Sequence, residues 1–314
     1  MKTFGAADRN RKDALDSLMQ TGYVVIENVL GNEELQHFSS AYDDIMMQER
    51  EAPFDPGDGP ESPDDAEMAE YLGGAYKIDK AEIDRLMKRI RHTRAQNHDT
   101  PWPVPADKVN HSFMHLPLLS IGGSQRSYNL PAKLPGCEQL LEHDIILELV
   151  GQLLEEDFVL SDFSANSIGP QSGSSYWHVD APFTMVPEPL PDTPLAIQVA
   201  WMMDDFTSEN GATLAVPGTH LSRKKPPWSY DSQEGQVELA APAGSLAMWF
   251  SQVWHRSGEN TTGRPRRALL GNYIRAWIKP HNDFTRSIPP DILSRYSPRT
   301  RYLLGWSAFG PTRG

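Results

Sequence analysis

Apolar positions along the chain change period near residue 157. Leu15, Leu18 and Met19 recur at helical spacing within residues 13–19, and Gly22 separates them from the apolar run Tyr23-Val24-Val25-Ile26. The spacing predicts a short amphipathic helix followed by a short buried strand. Gly31-Asn32-Glu33-Glu34-Leu35 opens a second helix, with Asn32 as its cap and acids in its first turn. Ile83, Leu86, Met87 and Ile90 follow i, i+3, i+4, i+7, with Lys88, Arg89 and Arg91 outside, and Pro101-Trp102-Pro103 lies beyond that helix. Residues 136–155 carry Leu140, Leu141, Ile145, Leu149, Leu153 and Leu154 as one stripe, which predicts a long helix. After Asp157 the apolar runs shorten to strand length. They cover 158–160, 163–168, 195–203, 212–216, 236–239, 245–250 and 267–278, split by Pro, Gly and Asn. Helices first and many short strands afterwards predict a mainly β core with flanking helices.

Residues 51–70 fit neither period. They hold eight acidic residues, no basic ones, and Pro at 53, 56, 60 and 63. So little apolar area cannot offset the entropy of ordering, so a mobile loop is expected, a solvated insertion more readily than a lid. No internal repeat and no linker divides the chain. The expectation is one domain over 1–314: a mostly helical flank to 156, a β core over 157–280 and a C-terminal extension over 281–314.

Charge and composition narrow the partners. A formal charge of −13 repels nucleic acid and anionic membrane surfaces, leaving a small molecule as the expected partner. No apolar run approaches the ~20 residues that span a bilayer. The single cysteine, Cys137, excludes an intramolecular disulfide and a Cys-rich metal site, and reads as a small buried residue in a reducing compartment. Met1-Lys2-Thr3-Phe4, followed by Asp8 and Arg9, lacks the apolar core of a signal peptide, and Pro311-Thr312-Arg313-Gly314 carries no lipidation or retention signal. A cytoplasmic localisation is therefore expected.

Candidate chemistry centres on Ser175-Tyr176-Trp177-His178-Val179-Asp180. An imidazole and a carboxylate two residues apart leave the same face of a strand and can converge on one metal. With a distant second histidine they form the two-His, one-carboxylate triad that holds Fe(II) and leaves three positions open. A His-x-Asp alone is as readily a surface turn. His111 and His115 share helical spacing, but His-Ser-Phe-Met-His lacks the glutamate of a zinc-protease helix and reads as a structural pair. His281-Asn282-Asp283 has no histidine after it and reads as surface. His255, beside Trp254 and behind the run 245–250, is a second ligand or a core histidine. Arg266 heads the alternating row Ala268, Leu270, Asn272, Ile274, the more apolar face of its strand, which belongs inside a barrel. A guanidinium entering such an interior costs several kcal/mol unless paired, and its fork suits a carboxylate; without a protein acid, a dicarboxylate cosubstrate is the natural partner. No Gly-x-Ser-x-Gly, P-loop or dinucleotide glycine fingerprint occurs.

Four ordered segments together resemble the phytanoyl-CoA dioxygenase family of Fe(II)- and 2-oxoglutarate-dependent oxygenases. They are Gly22 to Leu30, His178-Val179-Asp180, Asn210-Gly211-Ala212-Thr213 with Pro217-Gly218-Thr219-His220, and His255 to Asn260 followed by Arg266. The resemblance implies a double-stranded β-helix (jelly-roll, cupin-like) core. His178, Asp180 and His255 would bind iron, and Arg266 would pair with the distal carboxylate of 2-oxoglutarate. Thr213 and Ser257 would add hydrogen bonds to that cosubstrate, and His220 would be no ligand. Some relatives place a Trp eleven residues before the matching Gly; here Ala200 stands there beside Trp201, and Gln198 becomes the contact expected from that strand. Oxidation by O2, with release of succinate and CO2, would hydroxylate an unactivated C–H of a small organic metabolite. An acid at 180 argues against the halogenation of relatives that have Gly or Ala there. Desaturation, epoxidation and rearrangement use the same iron and stay open, as does a non-catalytic small-molecule-binding β-helix. Phe183, Met185 and residues 187–194 are expected at the substrate mouth or in a packed surface loop.

Overall fold

The computed structural model describes residues 3–5, 11–51, 65–76, 124–227 and 229–306, with positions 61, 63, 79–81, 83, 84, 87, 88 and 91. The strands are β1 (Thr3–Gly5), β2 (Tyr23–Glu27), β3 (Gln125–Ser127), β4 (Phe158–Ile168), β5 (Ala196–Met202), β6 (Thr213–Val216), β7 (Val237–Glu238), β8 (Leu246–Phe250), β9 (Trp254–Ser257) and β10 (Arg266–Arg275). Helices α1 (Arg11–Thr21), α2 (Asn32–Glu51), α3 (Asp65–Tyr76), α4 (Cys137–Leu141) and α5 (Asp144–Leu154) belong to the first half, and α6 (Phe284–Ser287), α7 (Pro290–Leu293) and α8 (Pro298–Leu303) follow β10.

A seven-stranded sheet in the order β1-β2-β8-β5-β10-β4-β3 faces a three-stranded sheet in the order β7-β6-β9, and one cavity is lined from both. All pairings are antiparallel except β1 with β2. This is the jelly-roll core expected from the sequence. Strand β10 shows why it closes. Arg266, Ala268, Leu270 and Asn272 line the cavity. On its other face Leu269 and Tyr273 are buried, and the Tyr273 hydroxyl donates to Leu141 O at the end of α4. Ile145, Ile146, Leu149, Val150, Leu153 and Leu154 of α5 are buried in the same core as Leu18 of α1. Each such side chain contributes about 1.5–3 kcal/mol on burial, so the helical cover stabilises the outer face while the inner face is kept for chemistry.

The structure departs from the sequence pattern where local geometry outweighs periodicity. The helix expected over 136–155 is two helices. His143 is extended between them, at φ −57° and ψ 132°, its Nδ1 accepts from Ile145 N, and its ring packs edge-on to Trp201. The runs 158–160 and 163–168 are one strand, β4, because Ser161 is an extra residue opposite Asn272 and Tyr273. The acidic stretch 51–70 is not loop throughout. Asp65 starts α3, where an acid meets the helix dipole, and the Asp65 carboxylate accepts from Arg91 Nε at 2.6 Å. The remainder of that stretch, apart from positions 51, 61 and 63, lies outside the described residues, as do His111 and His115. Described positions from 80 to 91 are helical, as the spacing predicts. Strands β1, β3 and β9 had no visible pattern, being three or four residues long. Cys137 is buried as expected and lies 3.1 Å from the Tyr296 hydroxyl. Among the described residues no helix is long and apolar enough to cross a membrane.

Two glycines set the register of the smaller sheet. Gly211 has φ +82°, and a Cβ there would stand 2.8 Å from Gly258 O; a Cβ on Gly258 would stand 2.8 Å from Ala212 O. This backbone crossing brings Thr213 opposite Ser257 and Ala215 opposite His255. Gly211→Ala is expected to cost at least about 1–3 kcal/mol from the left-handed conformation alone. A lowered urea midpoint checks it, and an unchanged midpoint would show that the crossing tolerates a side chain.

Candidate metal centre and its cavity

His178 and His255 are 77 positions apart in the chain and face each other through the backbone. His178 N donates to His255 O at 3.0 Å, and His255 N donates to His178 O at 3.1 Å. Residues that exchange both hydrogen bonds are directly opposed and send their side chains to one side. The imidazole centroids are 4.3 Å apart. The segment carrying His178 is not a strand, contrary to the sequence reading. It is extended chain with an isolated bridge at His178, and Asp180 N donates onward to Ser251 O at 2.8 Å. The i, i+2 relation still brings Asp180 back to the imidazoles.

His178, Asp180 and His255 each place one ligand atom within 4.8 Å of the others'. His255 Nε2 lies 3.3 Å from Asp180 Oδ2, and His178 Nε2 lies 4.0 Å from Asp180 Oδ1. His178 Nδ1 is 3.0 Å from Tyr176 O and His255 Nδ1 is 2.9 Å from Val253 O. A carbonyl only accepts, so both Nδ1 atoms carry protons and both Nε2 lone pairs are left for the centre. Asp180 Oδ2 is buried without a well-directed hydrogen bond. Two imidazole nitrogens and a carboxylate, one of whose oxygens is that unsatisfied Oδ2, fit a divalent cation of the Fe(II) type. Burial, then His255, pulls His178 down to about 4. Burial pushes Asp180 up, but the two histidines and Arg126 outweigh it and hold the carboxyl below its ordinary value. Burial pulls His255 down, and Asp180 with the Val253 carbonyl carries it above.

The cavity at this centre measures about 680 Å³ and also holds Arg266, Gln198, Thr213 and Ser257. The two consecutive arginines of β10 meet opposite fates. Arg267 points to the outer face and pairs with Asp204 at 2.6 Å and Asp43 at 2.8 Å. Arg266, 5% exposed, has no acid partner among the described residues; its Cζ lies 4.1 Å over the Phe206 ring, and its buried Nε lacks an acceptor. Burial lowers its pKa to about 10, so it stays charged at neutral pH. Asn272 Nδ2 donates to Gln198 Oε1 at 2.9 Å and to Ser251 Oγ at 3.1 Å. The Gln198 carbonyl is thereby occupied, and its amide nitrogen is the donor left for the cavity. Ser257 Oγ accepts from Ser175 N at 3.2 Å.

Sequence reasoning missed several lining residues. Asp162 and Arg126 stand on the wall, with Tyr128, Asn166 and His281. The extra residue Ser161 reverses the alternation of β4, so Leu160 opposes outward Tyr273 while Asp162 opposes inward Asn272. His281 is exposed, as expected of a surface residue, yet it stands at the cavity. Phe183 is fully buried with Val159, Val179, Leu190 and Ile274, and Met185 is exposed; neither lines the cavity. The packed-loop alternative describes that segment.

A profile described as phytanoyl-CoA dioxygenase (PhyH) matches residues 18–268. The chain belongs to the phytanoyl-CoA dioxygenase family. It is thereby placed in a family of oxidoreductases. Dioxygenase af480 of Aspergillus fumigatus is 31% identical over 239 residues, covering 74% of this chain and 72% of its own. An uncharacterised protein of Mycobacterium tuberculosis is 30% identical over 177 residues; the match takes in 56% of this chain and 60% of that relative's length. Among solved structures, the non-haem alpha-ketoglutarate-dependent carbocyclase SnoK superposes with a TM-score of 0.53 at 17% identity, covering 95% of each chain. AviO1 of Streptomyces viridochromogenes superposes at 0.52 with 15% identity, covering 86% of this chain and 97% of its own. At such identities these proteins share the fold with it.

The electrostatics make a checkable statement about the metal-free protein. Asp180→Asn removes the carboxylate that opposes burial at His255, so the His255 pKa should fall from above its ordinary value to below it. An NMR titration of the imidazole checks this; an unmoved value would show that Asp180 does not set it.

Proposed function

We propose that this protein is an Fe(II)- and 2-oxoglutarate-dependent dioxygenase that hydroxylates an unactivated C–H bond of a small organic metabolite. One observation carries the reading. A single cavity holds both a cluster of three ligand atoms and a buried arginine that has no acid partner among the described residues. His178 and His255 would hold the iron through Nε2 and Asp180 through a carboxylate oxygen. Arg266 would bind the distal carboxylate of 2-oxoglutarate, with Gln198, Thr213 and Ser257 as further donors along its length. With Fe(II) bound, O2 would be the oxidant: one of its oxygen atoms would end in the substrate hydroxyl and the other in succinate, formed with CO2 from 2-oxoglutarate.

The chain's own residues do the rest. Three protein ligands leave three positions for non-protein ligands. The Nδ1 hydrogen bonds to Tyr176 and Val253 fix each imidazole in one tautomer and orientation. Asp180 would fill the position that a Gly or Ala leaves to a halide in halogenating relatives, which argues against halogenation. Ala268, Leu270 and Trp249 line the cavity with apolar surface and keep water from the reacting carbon. Dioxygenase af480, aligned over most of the chain, supports the same class.

Anaerobic addition of Fe(II) and 2-oxoglutarate should give a visible charge-transfer band that His255→Ala abolishes. A protein that shows no band is not this enzyme. Arg266→Gln should keep the iron yet raise the 2-oxoglutarate needed for half-saturation by roughly ten- to a hundredfold, the worth of a charge-assisted pair. An unchanged requirement would move the cosubstrate elsewhere.

A further inference from the structure

We propose that Arg126 anchors a carboxylate on the substrate, so that the oxidised metabolite is an organic acid. The proposal rests on the oxygenase reading and names the class of molecule that fills its second subsite.

Arg126 lies on edge strand β3, opposite Asn166 of β4, which in turn opposes Ala268 of β10. Arg266 opposes Ile168, two residues further along the same inner face. The two arginines thus stand two strand spacings apart, roughly 10 Å sideways. The Arg126 guanidinium leans along β4 away from Arg266: Nε donates to Ser164 Oγ at 3.2 Å, and Nη2 donates to Ser164 Oγ at 3.1 Å and Asp162 Oδ2 at 3.2 Å. Its Cζ lies 4.9 Å over the Tyr128 ring. Four contacts therefore lock the fork from one side. Nη1 makes no hydrogen bond among the described residues, and 29% of the side chain is exposed on a cavity wall. Nη1 is thus a pre-oriented donor with no acceptor among the described residues, on a guanidinium already paired with Asp162.

Asp162 does not cancel this role. Its oxygens already accept from Arg126, Ser164 and Asn282, so it positions the guanidinium, and as an acceptor-only group it offers no donor to a ligand. Charges on the described lining residues point the same way. Arg126, Lys225, Arg256 and Arg266 stand against Asp162 and Asp180, four cations to two carboxylates, within a protein of formal charge −13. Iron as 2+ and 2-oxoglutarate as 2− would cancel each other and leave that excess in place. A cavity so biased inside an acidic protein selects a small anion and not a neutral ligand. Nη1, without an acceptor among the described residues, offers a charge-assisted hydrogen bond, which a carboxylate accepts more strongly than a neutral oxygen does.

The test uses the full chain, loaded anaerobically with Fe(II) and 2-oxoglutarate so that Arg266 is occupied. Binding of benzoate, 2-naphthoate and decanoate is compared by calorimetry with binding of their primary amides. The wild type should prefer at least one acid over its amide by about tenfold or more, as a charge-assisted hydrogen bond provides. Arg126→Gln should abolish the preference and Arg126→Lys should keep part of it. The double variant Arg126→Gln with Asp162→Asn, which leaves no lone charge on the wall, should lose it as well. Equal binding of every acid and amide, binding of no acid, or a preference that survives Arg126→Gln overturns the proposal. The charge-transfer band separates the two readings. A band without acid preference removes the anchor alone, whereas a preference lost in Arg126→Gln without any band keeps the anchor and removes the oxygenase.

Discussion

The reciprocal backbone pair between residues 178 and 255 is the constraint on which the centre depends. Two hydrogen bonds of 3.0 and 3.1 Å hold the extended segment after Tyr176 against β9. A single bridge fixes which side chains face each other, and here it opposes two imidazoles whose Nδ1 atoms are tied to carbonyls two residues back. Everything else at the centre follows from that opposition. Asp180 returns to the same side because side chains two apart in extended chain do so. With each Nδ1 bonded to its carbonyl, the Nε2 atoms turn toward the centre.

The surrounding fold makes this opposition rigid. Gly211 and Gly258 let two backbones cross closely enough to set β9 against β6, and Ser251 accepts from Asp180 N through its carbonyl and from Asn272 through its hydroxyl. The outer face of the large sheet is covered by α1 and α5, and the inner face carries the polar and charged groups. That division lets one strand, β10, present a neutralised Arg267 on one side and, on the other, an Arg266 with no acid partner among the described residues. The contrast between neighbouring residues of one type shows that partner geometry, not residue type, decides where charge remains to act on a ligand.

Much of the site is legible in the order of residues alone. His178-Val179-Asp180 carries its own geometry, since a two-residue spacing brings both groups to one side whether the segment is a strand or merely extended. Arg266 could be assigned inward because period-two alternation holds along β10 from Arg266 to Asn272, the stretch that pairs with β4 ahead of the bulge. The pattern failed where one residue breaks a period. Ser161 reverses the alternation of β4 and hides Asp162, and His143 splits a helix that its apolar stripe would have continued. Arg126 was hidden for another reason: a three-residue edge strand is too short to show any period. Phe183, which follows the His-x-Asp doublet, was open in the sequence between the substrate mouth and a packed loop, and the structure puts it in a separate packed cluster.

Local spacing and the type of side chain were enough to fix the chemistry on offer: two imidazoles and a carboxylate able to share an ion, and a guanidinium on an inward-facing row. They also fixed the broad division into helices and a β core, because burial imposes its period on any segment long enough to repeat it. Tertiary structure alone decided how closely the two histidines face each other, which acids neutralise Arg267 while Arg266 has no acid partner among the described residues, and which charged groups share the cavity wall. Those choices depend on hydrogen bonds between strands far apart in the chain, and on single bulges and close backbone approaches that leave no periodic mark.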